Sequence, residues 1–551
     1  MDKIENTGAS STSILEDRKA ETKKQPRTVL AETTGLIALS ILSPVAGLAV
    51  EIAMAWRFGT SPVVDAYRVA VLLILFGQQL FVSSILPYVV VPIFAEYRNQ
   101  GNEQDAWKAV DSLANLLLIM GSLIALFFFV FPTFASNLLA PGLVGEGRAT
   151  AIFFIRWCGL AFIPLCWSGV ACGVLYAHQI FRVAPIAQLL TNLSLVLAIV
   201  VGGAKLGAVS VALGVVVGAL GSASLYAIRL MRVRRQFAPG RRARGIDLPA
   251  LRKLFRLALP LLGGALVGQT SGAVVARALS LLSAGSLAAF GYGWKLGQIV
   301  LLTPSALSTV LFPKLSATWH SSTREDFTAS YVKMLRAMFF LTMPLTCVVY
   351  AFREPVVKLL LQRGAFSASA GHLTATLFGM LILGAPGTAL SSYLDRMFYA
   401  TQETRLPVMV DISCAFLAMA LVPLLASRFG AVGVAFAYML LPWITGAVLL
   451  ALFQYKHGKF PFKTMGAYAL KITGIAGISA WAGATALGLC QGFLGSGLPL
   501  LIVSLGSGTV LAVGIFLTMA LLLRLPEAAD CLGYLRRYAG IHRHPAEVAA
   551  R

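Results

Sequence analysis

A chain of 551 residues that is 58% hydrophobic and 12% charged, with a mean hydropathy of +0.79, carries about half the charge of a soluble domain, roughly 25%. So little polar surface cannot cover a water-soluble globule of this length, which excludes that class. The net charge of +22 would suit nucleic acid, but the basic residues lie mostly in short loops between apolar runs, the positive-inside pattern. The expected partner is therefore the phospholipid bilayer, with no nucleic acid.

Residues 1–26 are polar and mixed in charge, without the apolar core and small-residue cleavage site of a signal peptide. Residues 1–34 are expected to form a disordered cytoplasmic tail. Crossing the hydrocarbon core takes roughly 20 apolar residues as a helix. Such stretches follow at 35–56, 65–92, 112–132, 150–176, 183–204, 207–229, 255–282, 287–312, 331–352, 368–392, 407–427, 431–453, 467–489 and 497–523. The runs are continuous, whereas barrel strands would alternate over about ten residues. The expected fold class is all-α: a polytopic membrane protein of about 14 transmembrane helices. Basic residues precede the first span (Lys23, Lys24, Arg27), crowd between Arg229 and Arg256, and follow spans twelve (Lys456, Lys459, Lys463) and fourteen (Arg536, Arg537, Arg543). With fourteen spans all four places share one side, expected to be the cytoplasm along with both termini.

The chain repeats itself. Tyr176-Ala177-His178-Gln179 followed by Pro185 returns as Tyr399-Ala400-Thr401-Gln402 followed by Pro407, and the run Gly207–Ala212 returns as Gly430–Ala435. Pro92 matches Pro313, and all offsets lie between 221 and 223 residues. Six spans separate the copies, so they share one orientation, as in transporters whose halves are related by an axis along the membrane normal. The expected organisation is a first lobe at 35–229, a basic cytoplasmic linker at 230–254, a second lobe at 255–453, two extra helices within 454–525, and a cytoplasmic tail at 526–551. A substrate would sit between the lobes, with rocking of one on the other giving alternating access.

Ionisable residues inside spans are costly and mark functional sites by default. Glu51 lies in span one, Gln78 and Gln79 in span two, Arg277 in span seven and Lys295 in span eight. Lys295 is read as facing a cavity. Arg277 is read equally as cavity-facing or interfacial. Arg156 and Asp411 are read as reaching for an interface. Glu51 could simply pair with Arg57 or Lys295, and the two glutamines could simply bond between helices. Cationic groups between two lobes suit an anionic ligand, whose acyl or polyprenyl part could lie in a groove between helices. No HExxH, GxSxG or Walker motif is present, and the seven cysteines show no ligand spacing. The expectation is a transporter, not an enzyme, with no cofactor or metal. Lacking a P-loop, it would draw on an ion gradient or on the membrane potential, about 2.3 kcal/mol per charge per 100 mV; a coupling ion is possible and not identified, as is the oligomeric state.

Several motifs carry a family resemblance. Phe58-Gly59-Thr60-Ser61, Asp65-Ala66-Tyr67 and Val91-Pro92-Ile93-Phe94-Ala95-Glu96-Tyr97 resemble the opening of the MurJ/MviN family. Arg363-Gly364-Ala365-Phe366 resembles its RGAF segment, and Phe398–Pro407 its FYAxxDTxTP segment. The resemblance implies the MOP exporter fold and flipping of lipid II, the undecaprenyl-pyrophosphate-linked peptidoglycan precursor, across the bacterial inner membrane. It also implies site residues. Lys295 matches a cavity arginine, Glu51 a cavity aspartate and Asp65 an acidic residue after helix one, which with Arg57 is assigned a gating or structural role. Gln298 stands where the family has glutamate. Pro44, Val50 and Gln78-Gln79 stand where the family has arginines thought to hold the pyrophosphate. A paralogue carrying an exopolysaccharide or O-antigen lipid-linked unit, or a cation-coupled small-molecule exporter, is the alternative.

Overall fold

The computed structural model describes residues 26–84, 90–92, 94, 96–97, 103–237, 252, 256, 268–302, 324–457, 461–494 and 497–538. Most of the linker expected at 230–254, Pro313, and the tail residues 1–25 and 539–551 lie outside the described residues.

Every regular element among the described residues is helical. That is the outcome expected in lipid, where a spanning segment must satisfy its own backbone polar groups. In chain order the helices are α1 Pro26–Phe58, α2 Pro62–Gln78, α3 Glu103–Val130, α4 Pro132–Leu139, α5 Gly145–Cys158, α6 Phe162–Ala177, α7 Val183–Leu197, α8 Gly203–Leu206 and α9 Ala208–Phe237. Then come α10 at 268–280, α11 Ser286–Val300, α12 Arg324–Ala351, α13 Arg353–Leu360, α14 Ala368–Ile382, α15 Ala385–Ala400, α16 Arg405–His457, α17 Phe462–Leu494, α18 Leu498–Leu522 and α19 Pro526–Tyr538. Among the described residues, eleven helices are long and apolar enough to cross a membrane. One of them, Arg405–Lys456, covers two expected spans and bends at Gly430, where φ is 60°. The expected spans at 255–282 and 287–312 run partly outside the described residues. The chain is a multi-pass helical membrane protein.

The ends differ from the sequence reading. The first helix begins at Pro26, inside the stretch expected to be disordered. The expected tail at 526–551 opens with a helix, α19. Its Ala528 packs into the apolar cluster around α17 and α18.

The element pattern repeats. α3 and α12 start at Glu103 and Arg324, 221 residues apart, and α4 and α13 at Pro132 and Arg353, again 221 apart. The pairs α5/α14 and α6/α15 follow at 223. Between α5 and α6, and between α14 and α15, the long helix breaks. Pro164 and Pro386 each lack the N–H that would continue it, as interior prolines do. Even unusual backbone recurs: Gln179 (φ 61°) with Gln402 (φ 62°), and Gly207 (φ 53°) with Gly430 (φ 60°), both 223 residues apart.

The apolar core is not evenly spread. One cluster runs through both copies, joining Val50, Met54 and Phe154 to Leu279, Leu287 and Phe378. Of two further clusters, one around Leu80, Trp107 and Leu175 lies within the first copy, and one joins Tyr331 and Phe398 of the second copy to Ile472 and Phe516 of the extra helices α17 and α18. The halves therefore share a core at one end of the bundle and keep separate cores at the other. A cavity lies between them where the shared core stops.

Candidate substrate cavity and its closure

The end with the shared core is sealed by close backbone contact between the two copies. The turn after α1 has no room for a Cβ at its first residue. Gly59 has φ 59°, and a Cβ on it would collide with the Ala365 carbonyl. Gly364 has φ 60°, and a Cβ there would collide with the Trp56 carbonyl. Glycine adopts this left-handed conformation without strain. The approach lets Ala365 N donate to Trp56 O at 2.9 Å. A second contact has the same form: Gly142 packs onto the Ser280 carbonyl, and Arg277 donates to Leu138 O at 3.0 Å.

Asp65 fixes α11 to this seal. Its carboxylate, buried at 2% exposure, accepts from Gly285 N at 2.6 Å and Ala288 N at 2.7 Å. These are free N–H groups of the first turn of α11, so a residue of the first copy caps a helix of the second. A carboxylate there also meets the positive end of the helix dipole. Tyr292, one turn further along α11, donates to Gly59 O at 2.8 Å.

Just beyond the seal a cavity of about 700 Å³ opens between α1, α2, α7, α10, α11 and α16. Among the described residues its wall carries three charged groups, Glu51, Arg68 and Lys295, and six carboxamides, Gln78, Gln79, Gln188, Asn192, Gln269 and Gln298. A smaller pocket of about 380 Å³, reaching Ser43, Pro44 and Leu302, shares Gln188, Asn192, Lys295 and Gln298 with it and extends it away from the seal. Phe290 and Trp294 stack in parallel at 6.4 Å on one wall, and Tyr438 meets the Trp294 ring edge-on at 5.5 Å.

The polar groups are organised. Glu51 is held by the guanidinium fork of Arg68: Nη1 donates to Oε1 at 2.9 Å, and Nη2 to Oε2. The side chains are 12% (Arg68) and 10% (Glu51) exposed. Gln78 donates to Gln188, Gln188 to Asn192 at 3.4 Å, and Asn192 to Ser43 O at 3.2 Å. Lys295 is different. Among the described residues its ammonium has no hydrogen-bonded partner, and it lies against Gly47, where a Cβ would stand 3.0 Å from Nζ. Glycine at 47 makes room for the cation.

Five of the residues singled out by sequence line this cavity: Glu51, Gln78, Gln79, Lys295 and Gln298. Asp65 belongs to the seal. Arg277 does not reach the cavity: its side chain is exposed on the far face of α10 and held by Leu138 O. Arg57 packs its stem on Gly203. Glu51 pairs with neither Arg57 nor Lys295 but with Arg68, a residue the sequence reading passed over. Arg68 falls four residues into the expected span 65–92, where a basic side chain reads as an interfacial anchor. The rule that intramembrane charge marks function would have found it. Gln188, Asn192, Gln269, Trp294 and Tyr438 were also missed; neutral side chains give no such signal.

Comparison with known proteins agrees with this architecture. The family model described as "Lipid II flippase MurJ" matches residues 54–504. The "Lipid II flippase MurJ" of Burkholderia cenocepacia is 26% identical over 68% of this chain and 73% of its own. The "Probable lipid II flippase MurJ" of Buchnera aphidicola subsp. Baizongia pistaciae is 22% identical over 76% of this chain and 82% of its own. Among solved structures, a lipid II flippase MurJ in an inward closed conformation superposes with a TM-score of 0.74 at 18% identity, over 89% of this chain and 99% of that one. An inward-facing MATE transporter of the MOP superfamily superposes at 0.64 with 15% identity, over 77% of this chain and 98% of that one. With the family model spanning most of its length, this chain belongs to the lipid II flippase MurJ family.

Proposed function

We propose that the protein is a transporter that moves lipid II across the bacterial inner membrane by alternating access, and not an enzyme. The observation that carries this reading is the cavity between the two copies. It is sealed at one end, bears a net single positive charge from Glu51, Arg68 and Lys295, and is lined with carboxamides. Cations suit the pyrophosphate, while carboxamides and an aromatic wall suit a sugar. A volume of about 700 Å³ lies in the range of pockets for drug-sized ligands, about 300–1,000 Å³, enough for the pyrophosphate and the adjoining sugar. The family model and the names of the relatives weigh toward lipid II over an exopolysaccharide unit or a small-molecule substrate.

The repeated helix pattern supports two lobes in one orientation, at 35–229 and 255–453, rocking about an axis near the membrane normal. Basic residues at the ends of α9 and α16 support placing those ends and both termini in the cytoplasm. The seal then lies on the periplasmic side, and the conformation faces inward. The test is genetic replacement. Expressed in a bacterium depleted of its own lipid II flippase, this chain is expected to sustain growth. Lysis at a normal level of membrane-inserted protein would contradict the reading.

A further inference from the structure

The Glu51–Arg68 pair is the feature of the cavity that a structural role explains least. Arg68 spends both terminal nitrogens on Glu51, yet its Nε–H is buried with no acceptor. A buried donor left unpaired is costly. A Cβ at residue 291 would collide with Arg68, so glycine there makes room for the guanidinium. Its other face lies 5.0 Å from the Tyr292 ring centroid, and Tyr292 holds Gly59 in the seal. A guanidinium fork matches a phosphate as well as a carboxylate, and this one lines the cavity together with Lys295, which has no hydrogen-bonded partner among the described residues.

We infer that Glu51 is a built-in stand-in for the substrate's anion: it occupies the Arg68 fork until the phosphate of the bound headgroup displaces it. This rests on the reading that the substrate carries a pyrophosphate. Among the described residues the resting cavity has two cations and one anion, so one cation, Lys295, is left over until the ligand's anion joins them. Glu51 lies one helical turn from Gly47, the residue against which the Lys295 ammonium packs, so the released carboxylate passes to Lys295 while the ligand takes Arg68. The exchange withdraws Arg68 from its place beneath Tyr292, which connects occupancy of the cavity to the seal. Return of Glu51 to Arg68 then helps expel the headgroup after reorientation.

This scheme separates affinity from turnover. Removing the competitor strengthens binding and slows release, and slow release can limit a transport cycle. The probe is undecaprenyl pyrophosphate in mixed detergent–lipid micelles, titrated against the purified full chain, with flipping of labelled lipid II in proteoliposomes as the second readout. Glu51→Gln is expected to bind about tenfold more tightly and to flip severalfold more slowly, because a charge-assisted competitor is gone. Arg68→Gln is expected to bind about tenfold more weakly. In an Arg68→Lys background, where the charge stays but the fork is lost, Glu51→Gln is expected to give little tightening. Thermal unfolding of each variant separates loss of fold from loss of binding. Binding by wild type with Glu51→Gln equal or weaker, in a folded protein, would overturn the exchange and leave the lipid II reading standing. No binding by wild type would overturn that reading and the exchange with it.

Discussion

Asp65 offers the sharpest handle on the seal. Its carboxylate accepts two hydrogen bonds, from Gly285 N and Ala288 N, and no other described side chain caps α11. Hydrogen bonds to a charged group contribute about 1.5–3 kcal/mol each, so Asp65→Ala removes about 3 kcal/mol or more from the sealed state. Each 1.4 kcal/mol is a factor of about ten in an equilibrium, so the ratio of unsealed to sealed protein should rise about a hundredfold. Asp65→Asn keeps an acceptor but loses the charge and should shift the ratio about tenfold. The assay uses Gln269→Cys, in the cavity wall below the seal. A membrane-impermeant maleimide applied from outside intact cells reaches this thiol only when the seal opens. Labelling rates should increase in the order wild type, Asp65→Asn, Asp65→Ala. Equal rates for all three, in proteins of equal abundance and thermal stability, would refute the assignment of Asp65 to the seal.

Gly364→Val should raise the same labelling, because a β-branched residue is strained at φ 60° and its Cβ would push the Trp56 carbonyl away; unchanged labelling would show that the 56–59 and 363–366 contacts do not govern closure. Lys295→Ala should lower flipping at equal protein level while Lys295→Arg retains more of it, and wild-type flipping by Lys295→Ala would remove Lys295 from the site. A cysteine at Gly240, in the basic linker, should resist impermeant reagents from outside intact cells; its modification would overturn the proposed topology.

The parts of this molecule legible in the sequence were those with a periodic or charged signature. Long apolar runs located the spans, and spacings such as Tyr176 to Tyr399 located the duplication, which the helices and the left-handed turns at Gln179 and Gln402 repeat. Lys295 and Glu51 announced themselves because charge in a span is expensive. What the sequence could not supply was partnership. Asp65 and Gly285 are 220 residues apart, and nothing local to either says that one caps the other. Glu51 had two basic candidates, Arg57 and Lys295, and its pairing with Arg68 instead depends on how α2 packs beside α1 and α11. Arg277 could be read either as cavity-facing or as interfacial; its side chain is exposed and held by Leu138 O, a matter of helix rotation that the sequence of the span does not encode. The helix at Pro526–Tyr538 was obscured by its own polarity; it is held by burial of Ala528 rather than by an apolar run.

In the proposed function, lipid II passes through the cavity between the two copies. The most direct measurement is flipping of fluorescent lipid II by the purified protein in sealed proteoliposomes. Protein with Gln269→Cys is assayed before and after a bulky maleimide is attached at that position, which lies in the cavity wall. Transport well above that of protein-free vesicles is expected before modification, and its loss after modification. Transport that survives filling of the cavity, or that never exceeds the protein-free rate, would contradict the proposed function.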